Sequence, residues 1–224
     1  GVHSHLHEPT RLRRHRGLAQ LQCAHFAEAL EARDHRLRAR ILGADPLEDA
    51  LLTWDASKKG SFKITIGQFK VPLGRQEMTS SGKLQFADRS LLNAEFTRGR
   101  DIGIQFSGRL AKDKVEYFAG VFNGNPASRV SNDNTKLQYN ARVMFQPTGR
   151  QALVQRAWVS GPFYSEGDFE SADFPLFAIA ANFEKNDFHR ATTGNDLKDT
   201  IFGFDLVYKY KRFFATGEYY RRER

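Results

Sequence analysis

The sequence predicts an all-β fold: an antiparallel, up-and-down transmembrane β-barrel fragment preceded by a non-homologous N-terminal extension. Three observations predict it. After Pro46 the chain alternates apolar and polar residues over stretches of roughly 8–11 positions, the length that crosses a bilayer as a tilted strand. Aromatic residues gather toward the ends of those stretches, as interfacial girdles require. The polar faces carry charges (Lys63, Arg109, Glu116, Arg142, Asp205, Lys209, Glu218) that a dry interior would not hold and a water-filled lumen would.

Composition sets the outer bounds. The chain has 224 residues, with 34 Lys plus Arg against 26 Asp plus Glu and a formal charge of +8. That balance suits nucleic acid, an anionic membrane surface or the passage of small anions. Cys23 is the single cysteine, which excludes an internal disulfide framework and a cysteine-based zinc site. No run of about 18 apolar residues marks a transmembrane helix. The start, Gly-Val-His-Ser-His, lacks the basic and apolar regions of a signal peptide. Alone, these facts describe a soluble basic protein, but membrane barrels escape hydropathy because only alternate residues face lipid.

The vocabulary changes at Asp45-Pro46. Residues 1–46 hold six of the seven histidines, eight arginines, no lysine and one aromatic residue, Phe26. The rest carries 18 of the 19 phenylalanines and all seven tyrosines. The extension is read as helical over Leu18–Leu42, as disordered, or as text translated out of frame. His3, His5 and His7 share one side of an extended strand and could chelate a metal. No further ligands accompany them, so no metal and no cofactor is assigned.

The strands follow in order. Phe62, Ile64 and Ile66 alternate with Lys63, Thr65 and Gly67. Ile102, Ile104, Phe106 and Leu110 alternate with Gly103, Gln105, Ser107 and Arg109. Leu137, Tyr139, Ala141, Val143 and Phe145 alternate with Gln138, Asn140, Arg142 and Met144. Phe202, Phe204, Leu206, Tyr208 and Tyr210 alternate with Gly203, Asp205, Val207 and Lys209. Less regular stretches at 48–56, 114–122, 175–184 and 212–222 bring the number to about eight. Short links at Lys58-Lys59-Gly60 and Ala111–Lys114 alternate with longer polar stretches, Asn123–Lys136 and Glu184–Thr200, as in outer-membrane barrels. Girdle candidates are Phe62, Phe69, Tyr208, Tyr210, Phe213, Tyr219 and Tyr220. A soluble lipocalin-like binding protein also alternates, and a membrane barrel without transport remains a third class. A nucleic-acid-binding sheet is disfavoured, because the aromatics alternate out of phase with the charges.

The stretch GQFKVPLGRQEMTSSGKLQFADRSLLNAEFTRGRDIGIQFSG, Gly67 to Gly108, resembles the signature region of the phosphate-selective porin O/P family. Gly67, Gln68, Phe69, Lys70, Pro72, Thr79, Ser80, Ser81, Phe86, Arg89, Gly99, Arg100, Asp101 and Gly103 match in order. Tyr117–Gly124 and Pro175–Ala178 are similar to the family as well. The resemblance covers 47–224, apart from Arg150–Ser160, which reads either as a second frame disruption or as a longer periplasmic connection. It implies a passive channel of about sixteen to eighteen strands in a Gram-negative outer membrane, trimeric when full length. About eight strands make half of such a barrel, and Arg224 follows a strand without a terminal aromatic residue, so a C-terminal half is expected beyond it.

A passive pore needs no catalytic group, and the chain is read as not an enzyme. His189 alone among the histidines follows residue 46, which leaves no base for a Ser-His-Asp arrangement. Asp101 with Asp205, or Glu166 with Asp168, are read as solvated or ion-paired acids. Selectivity must come from charge at a constriction. The loop at 72–98 supplies Arg75, Lys83, Arg89 and Arg98, with Arg100 opening the next strand. Guanidinium groups there would grip phosphate or other small anions. Lys63, Arg109, Arg142 and Lys209 would extend the field along the lumen wall. Expected partners are small anions, outer-membrane lipid and lipopolysaccharide, and two further copies of the chain, without nucleic acid.

Overall fold

The computed structural model describes residues 37–42, 49–125, 132, 134–147, 162–167, 174–190 and 195–224. Within them runs one antiparallel sheet in strict sequence order. Its strands are β1 (Leu37–Leu42), β2 (Asp49–Asp55), β3 (Lys63–Lys70), β4 (Arg100–Leu110), β5 (Val115–Phe122), β6 (Gln138–Phe145), β7 (Leu176–Arg190), β8 (Asn195–Tyr210) and β9 (Phe213–Glu223). β1 and β9 are the two edges, so the sheet is an unclosed segment of a barrel wall. The short helices α1 (Arg75–Met78) and α2 (Leu91–Phe96) both lie in the β3–β4 connection.

The period of two sorts the side chains onto two faces. Leu52, Ile66 and Ile104 form one cross-strand row and all are exposed. Phe106, Tyr139, Val143, Ile179, Phe202, Phe204 and Leu206 continue this apolar outer face. One residue along each strand, the inner face is polar and covered: Glu116, Asn140, Arg142, Asn182, Glu184, Asp199, Asp205 and Lys209 are all buried. An apolar exterior over a polar interior is the reverse of a soluble barrel and the arrangement that lipid requires.

The predicted strands at 48–56, 62–67, 102–110, 114–122, 137–145, 175–184, 202–210 and 212–222 all form, and three points differ. Leu37–Leu42, assigned to the extension, is a strand paired along its length with β2; a six-residue edge strand is too short to show a clear period. The polar stretch 184–200 is largely an extension of the β7–β8 hairpin, reaching Arg190 and Asn195. Its alternation is hidden because polar residues occupy both faces there, with Asn186 opposite Asp199 on the inner face and Asp187 opposite Lys198 on the other. Phe69 and Tyr220, counted among the girdle aromatics, instead point inward and are buried. Phe62 stacks on Phe106, and Tyr208 packs edge-on against Phe213 on the outer side, as a girdle would. Residues 1–36 and 148–161, including His3, His5 and His7, lie outside the described residues.

Tight links gather at one end of the sheet. Lys211 and Arg212 both have positive φ, 46° and 72°, which gives the two-residue hairpin turn whose twist suits β8 and β9. Ala111, Lys112 and Asp113 turn the chain between β4 and β5, also at positive φ. The β3–β4 connection leaves from the opposite end.

Candidate functional site

The β3–β4 connection does not project away from the sheet. Its base is closed by Val71 N–H donating to the Gly99 carbonyl at 2.9 Å. Lys70 Nζ then donates to the carbonyls of Glu77 and Thr79, at 2.8 and 3.2 Å, which folds α1 back over the strand end. From there the loop crosses to the inner faces of β7, β8 and β9. Gly74 N–H donates to Asn182 Oδ1 at 3.2 Å, and Gln76 N–H to Glu218 Oε1 at 2.9 Å. Phe96 of α2, a helix capped by the Ser90 hydroxyl, stacks on Tyr220 with ring centroids 5.3 Å apart. A Cβ at Gly74 would collide with the Tyr220 hydroxyl, so only glycine, here at φ 82°, lets the backbone come this close.

A second segment reaches the same place from the tight-turn end. Phe163 and Tyr164, in a 3-10 turn at Pro162–Tyr164, are buried with Met78, Phe118, Met144 and Val207. Tyr164 Oη donates to Glu116 Oε2 at 2.7 Å, and Lys209 Nζ donates to Ser165 Oγ at 2.7 Å. Glu166 then joins the loop: its N–H donates to the Lys83 carbonyl, and its carboxylate accepts from Gln76 Nε2 and from Gln85 N–H.

The structure places each predicted basic residue beside a partner. Arg75 is 1 % exposed. Its Nε donates to Thr216 Oγ1 at 3.0 Å and its Nη1 to the Phe163 carbonyl at 3.3 Å, with Glu166 3.7 Å away. Lys83 ends a 3-10 turn whose carbonyl receives Glu166. Arg89 donates to the carbonyls of Gln76 and Thr79 and lies 4.0 Å from Glu77. Arg98 stands 3.6 Å from Glu184 and 3.8 Å from Asp199. Arg100 is apart from these, bonded to Asp49 at 2.7 Å. On the wall, Lys63 is on the inner face opposite Asp55 and Ser107 in the ladders. Arg109 is 3.5 Å from Glu116. Arg142 binds both carboxylate oxygens of Asp205 and also Asn182, and its guanidinium lies 5.9 Å from the Tyr164 ring centre. The Lys209 ammonium sits 5.5 Å from the Phe214 ring centre.

The loop therefore brings Arg75 and Arg98 against the inner face and Lys83 against the second segment, while Arg89 is bonded within the loop and Arg100 sits at the margin beside Asp49. Of the neutralising acids, Glu77 within the loop and Asp205 on the polar strand face are legible from sequence, whereas Glu184 and Asp199 and the segment 162–167 are not legible as site residues. Their partners lie far along the chain, and the one available signal is the inward parity of Glu184 and Asp199. Burial lowers the pKa of Arg75, opposed chiefly by Glu218 and then Glu166. Burial raises the Tyr164 phenol well above its usual value, and the neighbouring Glu116 carboxylate adds to that. Among the described residues, no group of three His, Cys, Asp or Glu side chains is placed to hold a metal ion. Of the carboxylate pairs, Asp205 holds Arg142 and Asp101 accepts the N–H groups of Ile102 and Gly124, so both are structural acids. Asp168 lies outside the described residues.

An open-ended sheet with an apolar exterior, a charged interior and a loop folded across that interior defines a channel-forming transmembrane β-barrel wall. The family model for phosphate-selective porin O and P matches residues 25–224, and the chain belongs to that family of outer-membrane porins. The match begins well before Pro46 and so takes in β1. No curated protein and no solved structure matches the chain.

Proposed function

We propose that the chain forms part of a passive outer-membrane channel for small anions, phosphate among them, with its constriction at the loop 72–98. The observation that supports this reading most is the arrival of Arg75 and Arg98 at the inner wall from a strand pair on the far side of the sheet. Guanidinium groups can hand an anion between paired hydrogen bonds without holding it long. Lys63, Arg109, Arg142 and Lys209 extend the positive lining, and Arg100 supports it at the margin. Each of these cations has an acidic, hydroxyl or carbonyl partner nearby, so the preference for anions is modest rather than strict. Nothing in the function calls for a catalytic residue or a cofactor.

The apolar outer face takes outer-membrane lipid, with lipopolysaccharide at its margin, and the full-length protein assembles as a homotrimer; its mass in detergent reports this. Nucleic acid is not a partner under this reading, because the exposed aromatics stand on the apolar outer face and the inward charges are buried. Single-channel reversal potentials of the full-length protein in a KCl gradient test the central claim. A chloride preference is expected. A cation preference sinks it, and a folded protein without conductance is a barrel that does not transport.

A further inference from the structure

The loop 72–98 meets a second inward segment, and the contact includes charged and polar groups. Residues 162–167 stand between the inner wall and the loop. The segment is anchored inside: Phe163 and Tyr164 are buried, Tyr164 is bonded to Glu116, and Ser165 is bonded to Lys209. It enters from the tight-turn end, whereas the loop enters from the other. The acid at their junction is Glu166, 4 % exposed, beside the Arg75–Phe163 hydrogen bond and the packing of Phe163 and Tyr164 with Met78.

The bonding of Glu166 is fully specified. Oε1 accepts from Gln76 Nε2 at 3.0 Å and faces Arg75 Nη2 at 3.7 Å. Oε2 accepts from Gln85 N–H at 2.8 Å, and the Glu166 N–H donates to the Lys83 carbonyl at 2.8 Å. One carboxylate thus holds the loop backbone and sits against its most buried cation. Two further acids act on Arg75: Glu218, whose Oε1 is bonded to Gln76 N–H, and Asp205.

We propose that Pro162–Gly167 is the second half of the constriction and that Glu166 is its selectivity-setting residue, fixing how much of the Arg75 charge a passing ion meets. This rests on the channel reading above. Close to a low-dielectric wall a single unpaired charge changes the local potential that ions sample. Glu166 therefore holds the pore closer to neutrality than its arginines alone would make it.

The test is the chloride-to-potassium permeability ratio of the full-length protein in planar bilayers, read from reversal potentials. Glu166→Gln keeps an acceptor for Gln85 N–H and removes one negative charge, and should raise the ratio about twofold or more with the conductance little changed. Gln85→Glu, at an exposed loop position beside the same junction, should lower it. Glu223→Gln, an exposed acid paired with Arg221 at the far end of β9, should leave it unchanged. Unchanged ratios in both junction variants, or an equal shift in Glu223→Gln, overturn the proposal while the channel stands. Absence of any conductance in the parent protein overturns both.

Discussion

On the outer face, Leu52, Ile66 and Ile104 stand in one row and Phe204 is 57 % exposed. On the inner face, one residue along, Arg142 is 1 % exposed and bonded to both oxygens of Asp205, 63 positions away. The same strands build both, yet the demands differ. An outward residue must only be apolar, because lipid offers no directional partner. An inward residue must match particular groups brought close by the sheet or by the loop: Arg75 with Thr216, Gln76 with Glu218, Arg98 with Glu184. The outer face is specified residue by residue and the inner face pair by pair.

That contrast breaks most sharply at Arg142. Arg142→Met leaves Asp205 buried without its cation, and should destabilise the folded barrel by about 3–5 kcal/mol, read as a shift of the denaturant midpoint in detergent. Adding Asp205→Leu should restore most of the loss, because the pair is costly to split rather than strongly stabilising in itself. A single variant that costs under about 1 kcal/mol removes the pairwise account of the inner face. Next in size is the outer face. Phe204→Arg should cost about 2–4 kcal/mol for insertion into vesicles if the residue faces the middle of the bilayer, whereas Phe204→Leu should cost little. Equal folding yields for the two variants would mean that this face does not meet lipid.

The same contrast explains what the sequence could reveal. The strands from β2 to β9 were legible because Ile64, Ile66, Ile104, Phe106, Phe202 and Phe204 write the period of two directly into the chain. The loop 72–98 was legible as a unit from the residues that resemble the family. β1 was hidden by its shortness, and the upper β7–β8 hairpin by polar residues on both faces, including Asp187 and Lys198. Parity puts Lys63, Arg109, Arg142 and Lys209 on the polar face of the strands. It carries no information on which partner each meets, since Glu116, Asp205 and Ser165 reach them only once the sheet has formed. Phe69 and Tyr220 show the limit from the other side. Aromatic residues near strand ends read as girdle, but Phe69 packs on Phe122 and Tyr220 under Phe96, both facing inward.

The smallest of these effects lies at Tyr164, where the second inward segment touches the wall. Its hydroxyl donates to the Glu116 carboxylate at 2.7 Å, and Arg142 lies over the ring. Tyr164→Phe removes one hydrogen bond to a charged group and should cost about 1.5–3 kcal/mol at neutral pH. Burial and the Glu116 charge raise the folded-state pKa above the unfolded value of about 10. The folded protein therefore keeps a proton that the unfolded chain releases. By linkage this stabilisation is complete below about pH 10 and is lost as the pH rises through the folded value. Denaturation curves taken at increasing alkaline pH should fall more steeply for the parent protein than for Tyr164→Phe, so that the two converge. Parallel curves would mean that the phenol is not held protonated against Glu116, and that the segment from 162 to 167 is attached to the inner face through Phe163 packing and the Lys209–Ser165 hydrogen bond instead.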